Sequence, residues 1–205
     1  VSEGMTDYYG YMAVARAGLW SKKELYKELA KVIEKLQTND GRLITSVELA
    51  SFRAWTRSDD PEHTEISYYT KGSLIGLLLD LEIRSRTENR KNLDDVFRSL
   101  MAEHGLPLPG FKEDGGFQAV VEDITAEGGG NADFSEFFAD YVAGVKELDY
   151  NAYLKHVGLK LKITRKDSRP AMGLKTKADA GRLIISELEY NGAAYNSGLM
   201  KTIFY

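Results

Sequence analysis

Cysteine is absent from the 205 residues, and histidine occurs only three times. Without cysteine there is no disulfide, no thiol nucleophile and no thiolate metal site. The compartment stays open between cytoplasmic and periplasmic, since a disulfide-free chain is at home on either side of a membrane. Basic charge is not in excess: 27 Lys and Arg stand against 31 Asp and Glu, for a net charge of −4. Phosphate binding needs a basic stripe, so the balance gives no reason to expect nucleic acid. No apolar run approaches the ~20 residues of a membrane span, and no basic-then-apolar signal opens the chain. The first residue is Val1, which suggests a piece of something longer.

What is there suffices for a packed core. Hydrophobic residues make up 43% of the chain and charged residues 28%, ordinary values for a folded domain. The length fits one domain, or one and part of another. Residues 1–157 read as helix after helix. Val1 to Ala17 lacks proline and Gly18 closes it. Ser21 with Glu24 spells a capping box ahead of Leu25, Leu29, Val32, Ile33 and Leu36. A turn at Asn39-Asp40-Gly41 precedes a shorter helix from Ser46 through Trp55, broken at residues 58–62. Ser67 to Arg86 is apolar nearly all round, as a buried central helix should be. Asn92 caps the next helix. Phe117–Ile124 and Phe134–Val142 follow, separated by the glycine run 128–130, and Tyr150–Val157 ends at Gly158.

After Gly158 the pattern changes. Leu159, Leu161 and Ile163 alternate with Lys160, Lys162 and Thr164, a period-2 strand signal, and residues 181–189 hold a second strand candidate. Residues 158–205 are fewer than most autonomous domains need, so a second, incomplete β-containing unit is expected there.

Few residues suggest chemistry on their own. Glu3 and Asp7 are four apart and share one helix face. Two carboxylates so placed invite a cation, or simply favour the helix dipole from its N-terminal end. Tyr68 and Tyr69 open the apolar helix, where on their own they read as capping and packing residues. His63, His104 and His156 each lack a second histidine four residues away; they read as surface or structural, with His63, in an acidic loop, the candidate to face a cleft.

Several strings together resemble the glycyl aminopeptidase family of gluzincin zinc metallopeptidases, which carry a PDZ domain after the catalytic domain. They are V-S-E-G-M-T-D-Y-Y at residues 1–9, G-R at 41–42, S-V-E-L-A-S-F-R-A-W at 46–55, I-S-Y-Y-T-K-G at 66–72 running into L-L-L-D-L-E-I-R at 77–84, and N-L-D-D-V at 92–96. Phe137-Phe138, Tyr141-Val142 and Gly144 fit the helix that follows. The resemblance implies a mainly α fold: the helical C-terminal subdomain of a thermolysin-like catalytic domain over residues 1–157, then a partial, β-rich PDZ-like segment over 158–205.

It also implies roles. Glu3 becomes the third zinc ligand, Asp7 the acid that orients a ligand histidine, and Tyr69, with Tyr68 as its neighbouring alternative, the oxyanion donor. Met172, Gly173 and Leu174 fall in the loop whose N–H groups hold a peptide's terminal carboxylate. The chain departs from the family in one respect: H-E-x-x-H does not occur. The two zinc-binding histidines and the general-base glutamate are expected upstream of Val1. The expectation is therefore an aminopeptidase acting on peptides through zinc in the intact protein, with these residues alone inactive and holding no zinc. The competing reading is a PDZ-like peptide-binding module on a helical scaffold.

Overall fold

The computed structural model describes residues 2–56, 64–164, 172–189 and 192–200. His63, the break at 58–62, and Arg169, Pro170 and Ala171 of the expected loop lie outside the described residues. The chain divides into two compact units, Val1–Leu161 and Lys162–Tyr205.

In the first unit α1 (Ser2–Arg16) and α2 (Lys22–Gln37) are followed by a 3-10 turn (Asp40–Leu43) and α3 (Val47–Phe52). Then come α4 (Tyr68–Arg86), α5 (Leu93–His104), α6 (Gly116–Glu127), α7 (Ser135–Phe138, continuing as a π-turn to Ala143) and α8 (Tyr150–Leu154). The capping box at α2 forms: the Ser21 hydroxyl accepts from the Glu24 N–H, and the Glu24 carboxylate accepts from the Ser21 N–H at 2.7 Å. Asn92 and Asp95 build the same device at α5.

The expected central helix is α4. Leu74, Ile75, Leu77, Leu78, Leu79, Leu81 and Ile83 are all buried, so the helix is wrapped on every side. Burying each such side chain stabilises the fold by about 1.5–3 kcal/mol. Around it pack Met5 and Tyr8 of α1, Ile33 and Leu36 of α2, Leu93 and Val96 of α5, Val121 of α6, and Phe134 and Phe137 near α7. Ser67 starts α4, its hydroxyl accepting from the Thr70 N–H at 3.2 Å. The approach to that cap is fixed by Gly41: a Cβ there would sit 2.5 Å from the Glu65 carbonyl oxygen. Only glycine lets residues 64–66 lie against the 3-10 turn.

The strand expected over residues 159–164 does not form. Leu159 and Leu161 pack back on the helical core. The backbone groups of Leu161 are satisfied by the Asn151 side chain, which accepts from its N–H at 2.8 Å and donates to its carbonyl at 3.2 Å. One amide side chain thus replaces a strand partner.

The second unit holds an antiparallel hairpin of β1 (Leu174–Asp179) and β2 (Arg182–Leu188), then a short α9 (Ala193–Asn196). Ala180 and Gly181 both take positive φ, 47° and 75°, as the two-residue turn of a right-twisted hairpin demands. Register runs from Leu174 opposite Leu188 to Asp179 opposite Arg182, with an irregularity between Lys175 and Thr176. Ile184 and Ala194 are its buried apolar residues among those described. No described helix is long and apolar enough to cross a membrane.

Candidate active site

Helices α1 and α4 touch backbone to backbone at Gly4 and Gly72, and the residues around that contact form the candidate site. A Cβ on Gly4 would lie 2.5 Å from the Gly72 Cα. Glu3, beside Gly4, is exposed, and Tyr68 and Tyr69, one turn before Gly72, stand next to it. Both phenols lie close enough to the Glu3 carboxylate for it to raise their pKa. The two rings lie 4.8 Å apart at 33°. The hydrogen bond to Glu3 is the main cause that pushes the Tyr69 phenol up to about 12, with burial adding to it. Burial is the larger cause for Tyr68, which is also raised. Both phenols therefore keep their protons at neutral pH. Asp7 follows one turn later on α1, half-buried.

Chemically this is one accessible carboxylate beside two phenols. Catalytic zinc requires three protein ligands and an open position. Among the described residues no three His, Asp or Glu side chains converge to hold a metal.

Residues 1–75 match the model of the M61 glycyl aminopeptidase family. That segment contains Glu3, Asp7, Tyr68 and Tyr69. Over these residues the chain is similar to this family. A crystal structure of an aminopeptidase N family protein from Idiomarina loihiensis superposes with a TM-score of 0.76 at 25% identity, covering 97% of this chain. The chain spans only 36% of that protein's length. No curated protein matches the chain.

Behind the site lie features that spacing did not reveal. The side chain of Lys71 is buried at 1% exposure, and its Nζ has no hydrogen-bond partner among the described residues. Burial lowers its pKa, and the charge of Glu147 opposes that only in part. Glu147 itself is paired with Arg42, Nε to Oε1 at 2.9 Å. On α1, the buried Tyr8 donates to Asp80 at 2.7 Å, and Tyr9 donates to Asp94 at 2.8 Å. A single lysine within an apolar helix was the available signal for Lys71; the partners of Tyr8 and Tyr9 left none.

The remaining histidines are away from this cluster's contacts. His156 Nδ1 lies 3.0 Å from Ser85 Oγ, and His104 packs edge-on against Phe111. In the second unit Met172 is exposed and Gly173 takes a φ of 69°. The carbonyls of Met172 and Gly173 accept from the N–H groups of Ala194 and Glu189. Leu174 begins β1.

Proposed function

We propose that this chain is part of a zinc-dependent aminopeptidase, in which Glu3 is the third protein ligand of the metal and Tyr69 donates to the oxyanion formed during peptide hydrolysis. The observation that carries the reading is the convergence of Glu3 with both tyrosine hydroxyls at the α1–α4 contact. Zinc would supply Lewis-acid polarisation of the scissile carbonyl and an activated water. Glu3 contributes an accessible carboxylate beside both phenols. Tyr69 contributes a phenol that keeps its proton at neutral pH and would donate it in a hydrogen bond to the oxyanion. Tyr68 steadies both. Asp7 is proposed to orient a ligand histidine. Peptides with a small N-terminal residue such as Gly or Ala are the proposed substrates, by analogy with the family. Residues 1–205 contain no H-E-x-x-H, so alone they are proposed to be inactive.

The test uses the protein with its complete metal-binding segment. Tyr69→Phe should lower kcat by about 10²–10³ with KM little changed, the usual cost of an oxyanion donor; unchanged kcat would remove Tyr69 from the mechanism. The 205-residue chain should carry no stoichiometric zinc by metal analysis and should not cleave an alanyl or glycyl anilide.

The second reading, capture of peptide C-termini by Met172, Gly173 and Leu174, draws on the left-handed turn at Gly173 and the hairpin that follows. One feature opposes it. The Glu189 carboxylate oxygen lies 2.9 Å from where a Cβ of Gly173 would be, so a second carboxylate arriving there meets like charge. Glu189→Gln is expected to tighten binding of free-carboxylate peptides, measured by fluorescence titration. Tighter binding to the native chain than to the variant would contradict this repulsion.

A further inference from the structure

We propose that Gly4 and Gly72 are positioning residues: by letting α1 and α4 meet backbone to backbone, they set the separation between Glu3 and the Tyr68–Tyr69 pair. The inference rests on the reading of that cluster as the active site. A Cβ on Gly4 would lie 2.5 Å from the Gly72 Cα, 2.6 Å from its carbonyl carbon and 2.9 Å from the Ser73 nitrogen. All three are backbone atoms of the buried helix, so no rotamer relieves the clash and the helices must part. Carbon atoms in good contact sit about 3.5–4.0 Å apart, which puts the required opening near ~1 Å. A hydrogen bond stretched by that much is lost, and a misplacement of ~1 Å is enough to cost a reaction 10²-fold.

The demand for glycine is local to this level of the contact. One turn along α4, a Cβ on Gly76 would meet the Met5 sulfur at 2.8 Å and the Tyr8 Cβ at 3.4 Å. The sulfur is on a flexible side chain and can move aside. Gly10, on the same α1 helix, has nothing within 4 Å of its Cβ position. Glycine weakens a helix interior relative to alanine. The closest backbone approach therefore falls beside Glu3 and one turn from the tyrosines, where the cluster depends on it.

The experiment is NMR of the 205-residue chain with 13Cζ-labelled tyrosine at pH 7, the Tyr69 signal being assigned by its loss in Tyr69→Phe. In the native background Glu3→Gln should shift that signal, because it removes the charged acceptor. In Gly4→Ala and in Gly72→Ala the signal should already be displaced, and adding Glu3→Gln should move it no further. In Gly10→Ala the full Glu3-dependent shift should remain. Persistence of that shift in both Gly4→Ala and Gly72→Ala overturns the proposal, as does its loss in Gly10→Ala. Circular dichroism checks folding. If Gly4→Ala does not fold, Gly72→Ala decides, because its nearest contact is milder, 3.0 Å to the Gly4 Cα. Absence of zinc from the intact protein would sink the role of Glu3 as a ligand and leave this result standing, so the two failures are distinct.

Discussion

Asp80→Ala is expected to lower the free energy of unfolding by about 3–5 kcal/mol, the cost of removing one partner from a buried charged network. Asp80 is buried in α4 and serves three helices. Its Oδ2 accepts from the Tyr8 hydroxyl of α1 at 2.7 Å and from Arg84 Nε at 3.1 Å. Its Oδ1 accepts from the backbone N–H of Leu93, the first residue of α5, at 2.8 Å. Alanine strands a phenol and a helix-terminal N–H and takes one partner from Arg84, which keeps Asn89 at 2.8 Å; Leu93 and Tyr8 are too deep for water to replace the lost acceptor.

Against a total stability of roughly 5–15 kcal/mol for a domain, such a loss is easily read as a drop in the urea midpoint followed by circular dichroism. Asn at position 80 should recover part of it, since an amide oxygen can still accept from one donor. Tyr8→Phe should cost less, about 1.5–3 kcal/mol, the range for a hydrogen bond to a charged group. Burial, with Asp80 beside it, raises the Tyr8 pKa well above the usual tyrosine range, so it stays a donor at every pH at which the protein folds. A loss below ~1 kcal/mol for Asp80→Ala would mean that water reaches the site.

Periodicity and capping made much of the helical unit legible. The dense apolar stretch 74–83, interrupted only by Gly76, Asp80 and Glu82, identified α4 because a helix apolar nearly all round has nowhere to go but inside. Ser21 and Asn92 announced helix starts because an unpaired N–H needs an acceptor that only a few side chains supply. The alternation after Gly158 misled because period-2 spacing reports which side chains share a face, and says nothing of what pairs with the backbone. There, Asn151 took the pairing. At the candidate site, spacing put Glu3 and Asp7 on one face of α1. That Tyr68 and Tyr69 return to Glu3 depends on a contact between segments far apart in sequence, signalled only by a glycine in each. Local pattern cannot say which two glycines meet.

Lys71→Met should change stability in the opposite sense, raising it at pH 7 by about 1–4 kcal/mol, as replacement of poorly paired buried charge by a packed apolar chain does. The Lys71 side chain is buried, and its Nζ has no hydrogen-bond partner among the described residues. Burial is the principal cause that lowers its pKa below the ordinary lysine value of 10.5. Glu147 attracts it, but that carboxylate is already paired with Arg42 and is partly solvated. In the unfolded chain the lysine keeps its proton up to its ordinary pKa; in the folded chain it gives the proton up earlier. Between the two values the unfolded state binds more protons, so native stability rises with pH across that window. Below the folded value the full penalty is present and constant. The advantage of Lys71→Met is therefore largest at neutral pH and shrinks as pH climbs toward 10.5, where both states of the native chain lose the charge. Urea midpoints of the two proteins at pH 7 and at pH 10 measure it. A variant less stable than the native chain at pH 7 would show that the ammonium has a partner worth more than its desolvation. An advantage that did not shrink with pH would place its origin in packing, not in charge.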